Sequence, residues 1–194
     1  MSHLKDKIAV VTGASQGLGR CVAMKMACRS AVVAMVARSQ HRLQQSEQEI
    51  KEVGGLAHAF PADISSPEAV TRLRKQVEER LGVPAILVNA AGVFGPIQLI
   101  QDSDPEQWVE TVKINTFGPY LTCRAFVKGM IKQRWGRTIN FSSAAAFHPP
   151  GPLNSAYATS KVALNQFTRQ LAAELSGSGV TANLIHPGEV KTQM

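Results

Sequence analysis

The feature that most constrains this chain is a strict alternation of short apolar runs with longer helix-like stretches, from one end to the other. Ile8–Thr12, Val32–Ala37, Leu56–Phe60, Ala85–Asn89, Arg137–Ser142 and Val180–Ile185 read as strands. Gly17–Arg29, Arg42–Val53, Pro67–Leu81, Pro105–Gln133 and Ser155–Leu175 read as the helices between them. The strands are apolar at successive positions, the pattern of strands buried on both faces. This order predicts one α/β domain built on a doubly wound parallel sheet of the Rossmann type, with helices on both faces. Right-handed crossovers give the strand order 3-2-1-4-5-6. No repeat, low-complexity tract or linker divides the 194 residues, a length that suits one core.

Composition excludes several classes of function. With 44% apolar and 18% charged residues, the chain is not a disordered segment. The first residues, Met1 to Lys7, lack the apolar stretch of a signal peptide, and the longest apolar run, Ala31–Ala37, cannot cross a bilayer. A soluble, cytoplasmic protein with no membrane partner is expected. Cys21, Cys28 and Cys123 form no CxxC pair, and the histidines have no ligand spacing, so neither a disulfide framework nor a metal is expected. The net charge of +7 raises the question of nucleic acid. However, Arg72, Arg74, Lys75 and Arg80 are interleaved with Glu68, Glu78 and Glu79 as on a solvated helix face, and no nucleic-acid partner is expected.

After the first strand comes Gly13-Ala14-Ser15-Gln16-Gly17-Leu18-Gly19, leading into a helix. Glycines let a backbone turn tightly and approach a pyrophosphate, and the following helix offers free N–H groups and a positive dipole end. At the end of strand two, where dinucleotide selection is read, stands Ala37-Arg38-Ser39 with no carboxylate to bind a ribose 2′-OH. A guanidinium there pairs with a 2′-phosphate, so NADP(H) is the expected cofactor.

Tyr157 and Lys161 lie four apart at the start of a helix, hence on one face. A phenol working as an acid or base near neutrality needs its anion stabilised, which a lysine one turn away supplies. Ser142 and Ser143 end strand five at the carboxyl edge of the sheet, Asn89-Ala90-Ala91-Gly92 ends strand four, and Asn115 sits within a long helix where asparagine is disfavoured. These motifs, in this order from about Lys5 to Met194, resemble the short-chain dehydrogenase/reductase family.

The resemblance implies hydride transfer between a nicotinamide and a carbonyl or secondary alcohol. By its pattern Tyr157 is the acid/base, and Lys161 lowers its pKa and binds the nicotinamide ribose. Ser143 polarises the carbonyl, with Ser142 a possible substitute, and Asn115 holds a water in a proton relay. Gly13, Ser15, Gly17, Leu18, Gly19, Arg38 and Ser39 take the adenosine and phosphates, Asp63 contacts adenine, and Asn89, Ala91 and Gly92 lie along the cofactor. Pro187, Gly188, Val190 and Thr192 belong to a Pro-Gly turn at the nicotinamide end. The two long helices form a dimer interface in related proteins, implying a homodimer or homotetramer.

Three departures stand out. Gln16 replaces a basic residue found in many NADP-preferring members, which leaves selection mainly to Arg38. Ser30 replaces the glycine after the first helix. Ser143 to Tyr157 is one residue longer than usual, so the His148–Pro152 loop is expected to bulge toward the substrate. Family members also continue past this turn into a substrate-covering segment and a seventh strand, so the substrate end is expected to be missing here. Two readings follow: an NADP(H)-dependent carbonyl reductase or alcohol dehydrogenase, or a truncated, catalytically weak nucleotide-binding or dimerising fragment of one.

Overall fold

The computed structural model describes residues 4–147, 151–188 and 190. Its strands are β1 (Ile8–Thr12), β2 (Val32–Ala37), β3 (Leu56–Pro61), β4 (Ile86–Asn89), β5 (Gly136–Phe141) and β6 (Val180–Ile185). All pair in parallel, in the order β3-β2-β1-β4-β5-β6, as the alternation predicts. Successive β1 side chains leave opposite faces of the sheet. Ala9 and Val11 join a core with Val33, Met35, Ile86 and Val88 beneath α1 (Gly17–Ala27) and α2 (Gln40–Glu52). Val10 joins the other core with Ala34, Leu87, Phe126 and Met130 beneath α3 (Pro67–Leu81), α5 (Gly118–Lys132) and α6 (Ser155–Glu174). Two covered faces explain why β1, β2 and β4 are apolar at successive positions, whereas β6, at the edge of the sheet, alternates buried residues with the exposed Thr181 and Asn183.

The helix starts follow their capping residues. Ser39 and Ser66 accept from the backbone N–H groups of Arg42 and Ala69, and Asp104 accepts from Glu106 and Gln107. The C-terminus of α1 closes with Ala31 N–H on Met26 O and Ser30 N–H on Ala27 O, a Schellman pair that places Ser30 at φ +66°. The serine therefore occupies the left-handed position that glycine favours.

One expectation is corrected. Pro105–Gln133 is not a single α-helix. It divides into α4 (Pro105–Val112), a π-helical turn at Lys113–Phe117, and α5. A π turn holds one extra residue per turn, and here it accompanies the inward side chain of Asn115, which bonds to Val93 and Ser160 outside its own helix. Short 3-10 turns at Ile100–Asp102 and Ala144–Ala146 lie in the segments that follow β4 and β5. No described helix is long and apolar enough to cross a membrane.

Candidate active site

The loop after β1 is pressed against the loop after β4. A Cβ on Gly13 would lie 2.8 Å from the Ala91 backbone, and one on Gly19 would lie 2.3 Å from Gly13 O. Gly13 and Gly17 also adopt φ +68° and +54°, a region side chains rarely enter. Thr12 Oγ1 accepts from Ala91 N–H at 3.2 Å and ties the two loops together. Beside them a cleft of about 300 Å³ runs along the carboxyl edge of the sheet. Its walls on the β2–β3 side include Arg38, Ser39, Arg42 and Asp63, and on the β4–β6 side Phe141, Ser142, Tyr157, Lys161 and Pro187.

On the first side the charges are arranged around Asp63. Its Oδ1 accepts from the backbone N–H of Ser65 at 2.8 Å and from the Ser65 hydroxyl at 2.7 Å. Partial burial alone would raise this carboxyl. The Ser65 bonds, with Arg38 and Lys113 nearby, outweigh it and hold Asp63 below the ordinary carboxylate range. Arg42 donates from Nη1 to Gln16 Oε1 at 2.6 Å, reaching from α2 to the glycine-rich loop after β1.

On the other side the first turn of α6 carries Tyr157, buried and stacked on Phe94 with ring centroids 4.6 Å apart. Lys161 Nζ donates to Phe141 O at 2.8 Å and lies 5.5 Å from the centre of the Tyr157 ring. Burial pushes the Lys161 ammonium down to about 8. Asn115 grips Val93 at both backbone atoms, Oδ1 accepting its N–H at 2.9 Å and Nδ2 donating to its carbonyl at 2.8 Å. The same Nδ2 donates to Ser160 Oγ at 3.0 Å, and Thr116 Oγ1 donates to Ser160 O. The π turn thus fixes the α6 turn that carries Tyr157 and Lys161.

A buried polar chain supports the strand ends from below. Thr122 donates to Asn89 Oδ1, Asn89 to Asn140 Oδ1, and Asn140 to Thr168 Oγ1, each at 2.8 Å. The two serines after β5 differ. Ser142 is buried and gives its proton to Asn165 Oδ1 at 2.5 Å. Ser143 is partly exposed, and its Oγ accepts from Ala145 N–H.

Of the residues singled out from sequence, Gly13, Ser15, Gly17, Leu18, Gly19, Arg38, Ser39, Asp63, Ala91, Gly92, Tyr157, Lys161 and Pro187 line the cleft. Asn89 and Asn115 lie beneath it as supports, and Ser143, Gly188 and Val190 stand outside its lining. Thr192 and the stretch His148–Pro150 lie outside the described residues. Sequence reasoning missed Arg42, Asn140 and Asn165. A signal existed for Arg42, since a basic residue in the first turn of α2, with no acid there, opposes the helix dipole.

The family model for short chain dehydrogenase matches residues 7–194. The chain belongs to the short-chain dehydrogenase family. This is a family of oxidoreductases that bind a nicotinamide cofactor. A short chain dehydrogenase of Pseudocercospora fijiensis is 39% identical over 99% of this chain, which spans 62% of that relative's length. The crystal structure of a metagenomic short-chain oxidoreductase in complex with NADP is 36% identical, with a TM-score of 0.90 over 96% of this chain and 84% of that one. An NAD+-bound xylitol dehydrogenase is 30% identical, with a TM-score of 0.92 over 96% of this chain and 71% of that one.

Proposed function

We propose that this short-chain dehydrogenase is an NADP(H)-dependent oxidoreductase that transfers hydride between a nicotinamide and a carbonyl or secondary alcohol, with Tyr157 as the acid/base. One observation carries the reading: Tyr157 and Lys161 are buried side by side in the same cleft that the glycine loop and Arg38 line.

The residues present fit a dinucleotide. Cβ atoms on Gly13 and Gly19 would collide with neighbouring backbone, so glycine lets the loop pack tightly ahead of α1, whose first residues Gly17, Leu18 and Gly19 line the cleft and suit a pyrophosphate. Arg38 and Ser39, with no carboxylate beside them at the end of β2, suit a 2′-phosphate better than a 2′-hydroxyl. Asp63 is already bonded to Ser65 and offers its second oxygen, Oδ2, to an adenine amino group. Pro187 lines the end of the cleft near Tyr157 and Lys161, which suits the nicotinamide end.

When bound, the dinucleotide supplies or takes the hydride at its nicotinamide carbon. Tyr157 Oη gives the proton to the substrate oxygen during reduction and takes it back during oxidation. Lys161 stabilises the tyrosinate by its charge and binds the nicotinamide ribose, and Phe141 O holds its Nζ. The Ser142 proton is committed to Asn165, whereas the Ser143 oxygen is engaged as an acceptor and its own proton is left to polarise a carbonyl. Ser143 is therefore the catalytic serine of this proposal. A Cβ on Gly92 would lie 3.2 Å from Asn115 Oδ1 and 3.6 Å from Lys161 Nζ, and the nearness of these groups supports Asn115 as the next member of a relay from Lys161 to solvent.

The exposed apolar residues Val109, Phe117, Tyr120 and Val162 on α4, the π turn, α5 and α6 support a homo-oligomer paired through these helices. Calorimetric titration of NADPH and of NADH tests the cofactor assignment. NADPH should bind more tightly, and Arg38→Ala should weaken it roughly 10- to 100-fold, the loss of a charge-assisted pair. Equal or tighter NADH binding would overturn the assignment.

A further inference from the structure

We infer that Arg42 is a second determinant of the cofactor's 2′-phosphate, held in place by Gln16. The inference rests on the NADP(H) reading above and goes beyond it, because that reading leaves selection to Arg38 and Ser39. Arg38, Ser39 and Arg42 line the same side of the cleft, the first two directly after β2 and the third one turn into α2. Ser39 joins them twice, since it lies next to Arg38 and its Oγ accepts from Arg42 N–H at 3.4 Å.

The bond from Arg42 Nη1 to Gln16 Oε1, at 2.6 Å, crosses from α2 to the glycine loop proposed above to take the pyrophosphate. A guanidinium has five N–H donors in a fixed plane. The carbonyl of Gln16 takes one of them and orients the rest, and Arg42 lines the same cleft as Arg38. Gln16 is thus a positioning residue, acting through Arg42.

The charge balance agrees. Arg38, Arg42 and Lys113 stand around this end with Asp63 as the nearby anion, and Asp63 is already engaged by Ser65. A phosphate monoester brings about −1.5 to −2 charges near neutrality, which offsets the surplus. A bare 2′-hydroxyl brings none. Arg42 also opposes the dipole of α2 in its first turn, an unfavourable placement that a bound anion reverses.

The test is calorimetric titration of the full chain with NADPH and NADH, using wild type, Arg42→Ala, and Arg42→Ala combined with Gln16→Arg. Arg42 and Gln16 are exposed, and thermal melts check that the variants stay folded. Arg42→Ala should weaken NADPH roughly 10- to 100-fold and leave NADH within about threefold. Gln16→Arg should restore at least part of the NADPH preference, because it returns a guanidinium to the same point from the opposite wall. If wild type prefers NADPH but Arg42→Ala lowers both dinucleotides equally or neither, Arg42 has no part in selection and Arg38 acts alone. If wild type shows no preference for NADPH, or binds neither cofactor, the NADP(H) reading fails and this inference falls with it.

Discussion

At the residue scale, the clearest tension is at Lys161. The residue is 5% exposed and its ammonium donates to a backbone carbonyl, and burial lowers it from 10.5 to about 8. The folded protein therefore holds this proton less tightly than the unfolded chain does. The group's stability contribution is fully present above about 10.5 and is lost as pH falls through about 8. Lys161→Met should raise stability at pH 7 by roughly 1–3 kcal/mol, since it removes a poorly compensated buried charge, while carbonyl reduction is lost. The gain should shrink between pH 8 and 10.5 as the wild type sheds its proton. Urea melts at pH 7 and pH 10 check both signs, and a destabilised variant at pH 7 would mean the ammonium is well paired. Ser30 offers a simpler case. Held at φ +66° at the end of α1, it should gain about 1 kcal/mol on Ser30→Gly, read as an upward shift of the melting temperature.

At the element scale, the strand sequences disclosed the fold because β1, β2 and β4 are apolar at nearly every position and four of the helices begin at a side-chain cap or a proline. The strand limits differ from the sequence reading by a residue at most. The long helix did not disclose its π turn. Gly118-Pro119 marks where the following helix starts, a signal the sequence reading passed over, but the π turn before it coincides with contacts from β4's loop and α6 that exist only in the folded chain. Asn115 nevertheless gave a hint, as a polar residue in an apolar surround. The Val93–Gly95 loop is likewise set by its clamps. Asn115 holds Val93, and Gly95, at φ +79°, packs so closely that a Cβ would meet Thr111 Oγ1 at 2.3 Å. Between them Phe94 is held on the Tyr157 ring. Gly95→Ala should therefore cost about 2 kcal/mol or more, measured by urea denaturation. It should also release Phe94, seen as loss of the ring-current shift on the Tyr157 ring protons. An unchanged melt would show that the loop yields without strain.

At the scale of the whole molecule, one sheet gathers at its carboxyl edge residues spread from Gly13 to Pro187. The motifs could be placed there from sequence because parallel topology fixes which strand ends meet. The pairings that tune them could not, since Arg42 with Gln16 and Ser142 with Asn165 are 26 and 23 residues apart and neither pair has a signature in spacing. The central claim is that the buried pair on α6 transfers the proton for a nicotinamide-dependent reaction. Its most direct test is carbonyl-dependent oxidation of NADPH, followed by absorbance over a panel of aliphatic and aromatic ketones, with wild type and Tyr157→Phe side by side. The account predicts turnover by wild type and a loss of about 100-fold or more in Tyr157→Phe, with NADPH affinity retained. Undiminished turnover in Tyr157→Phe, or none in a wild type that binds NADPH, would contradict it.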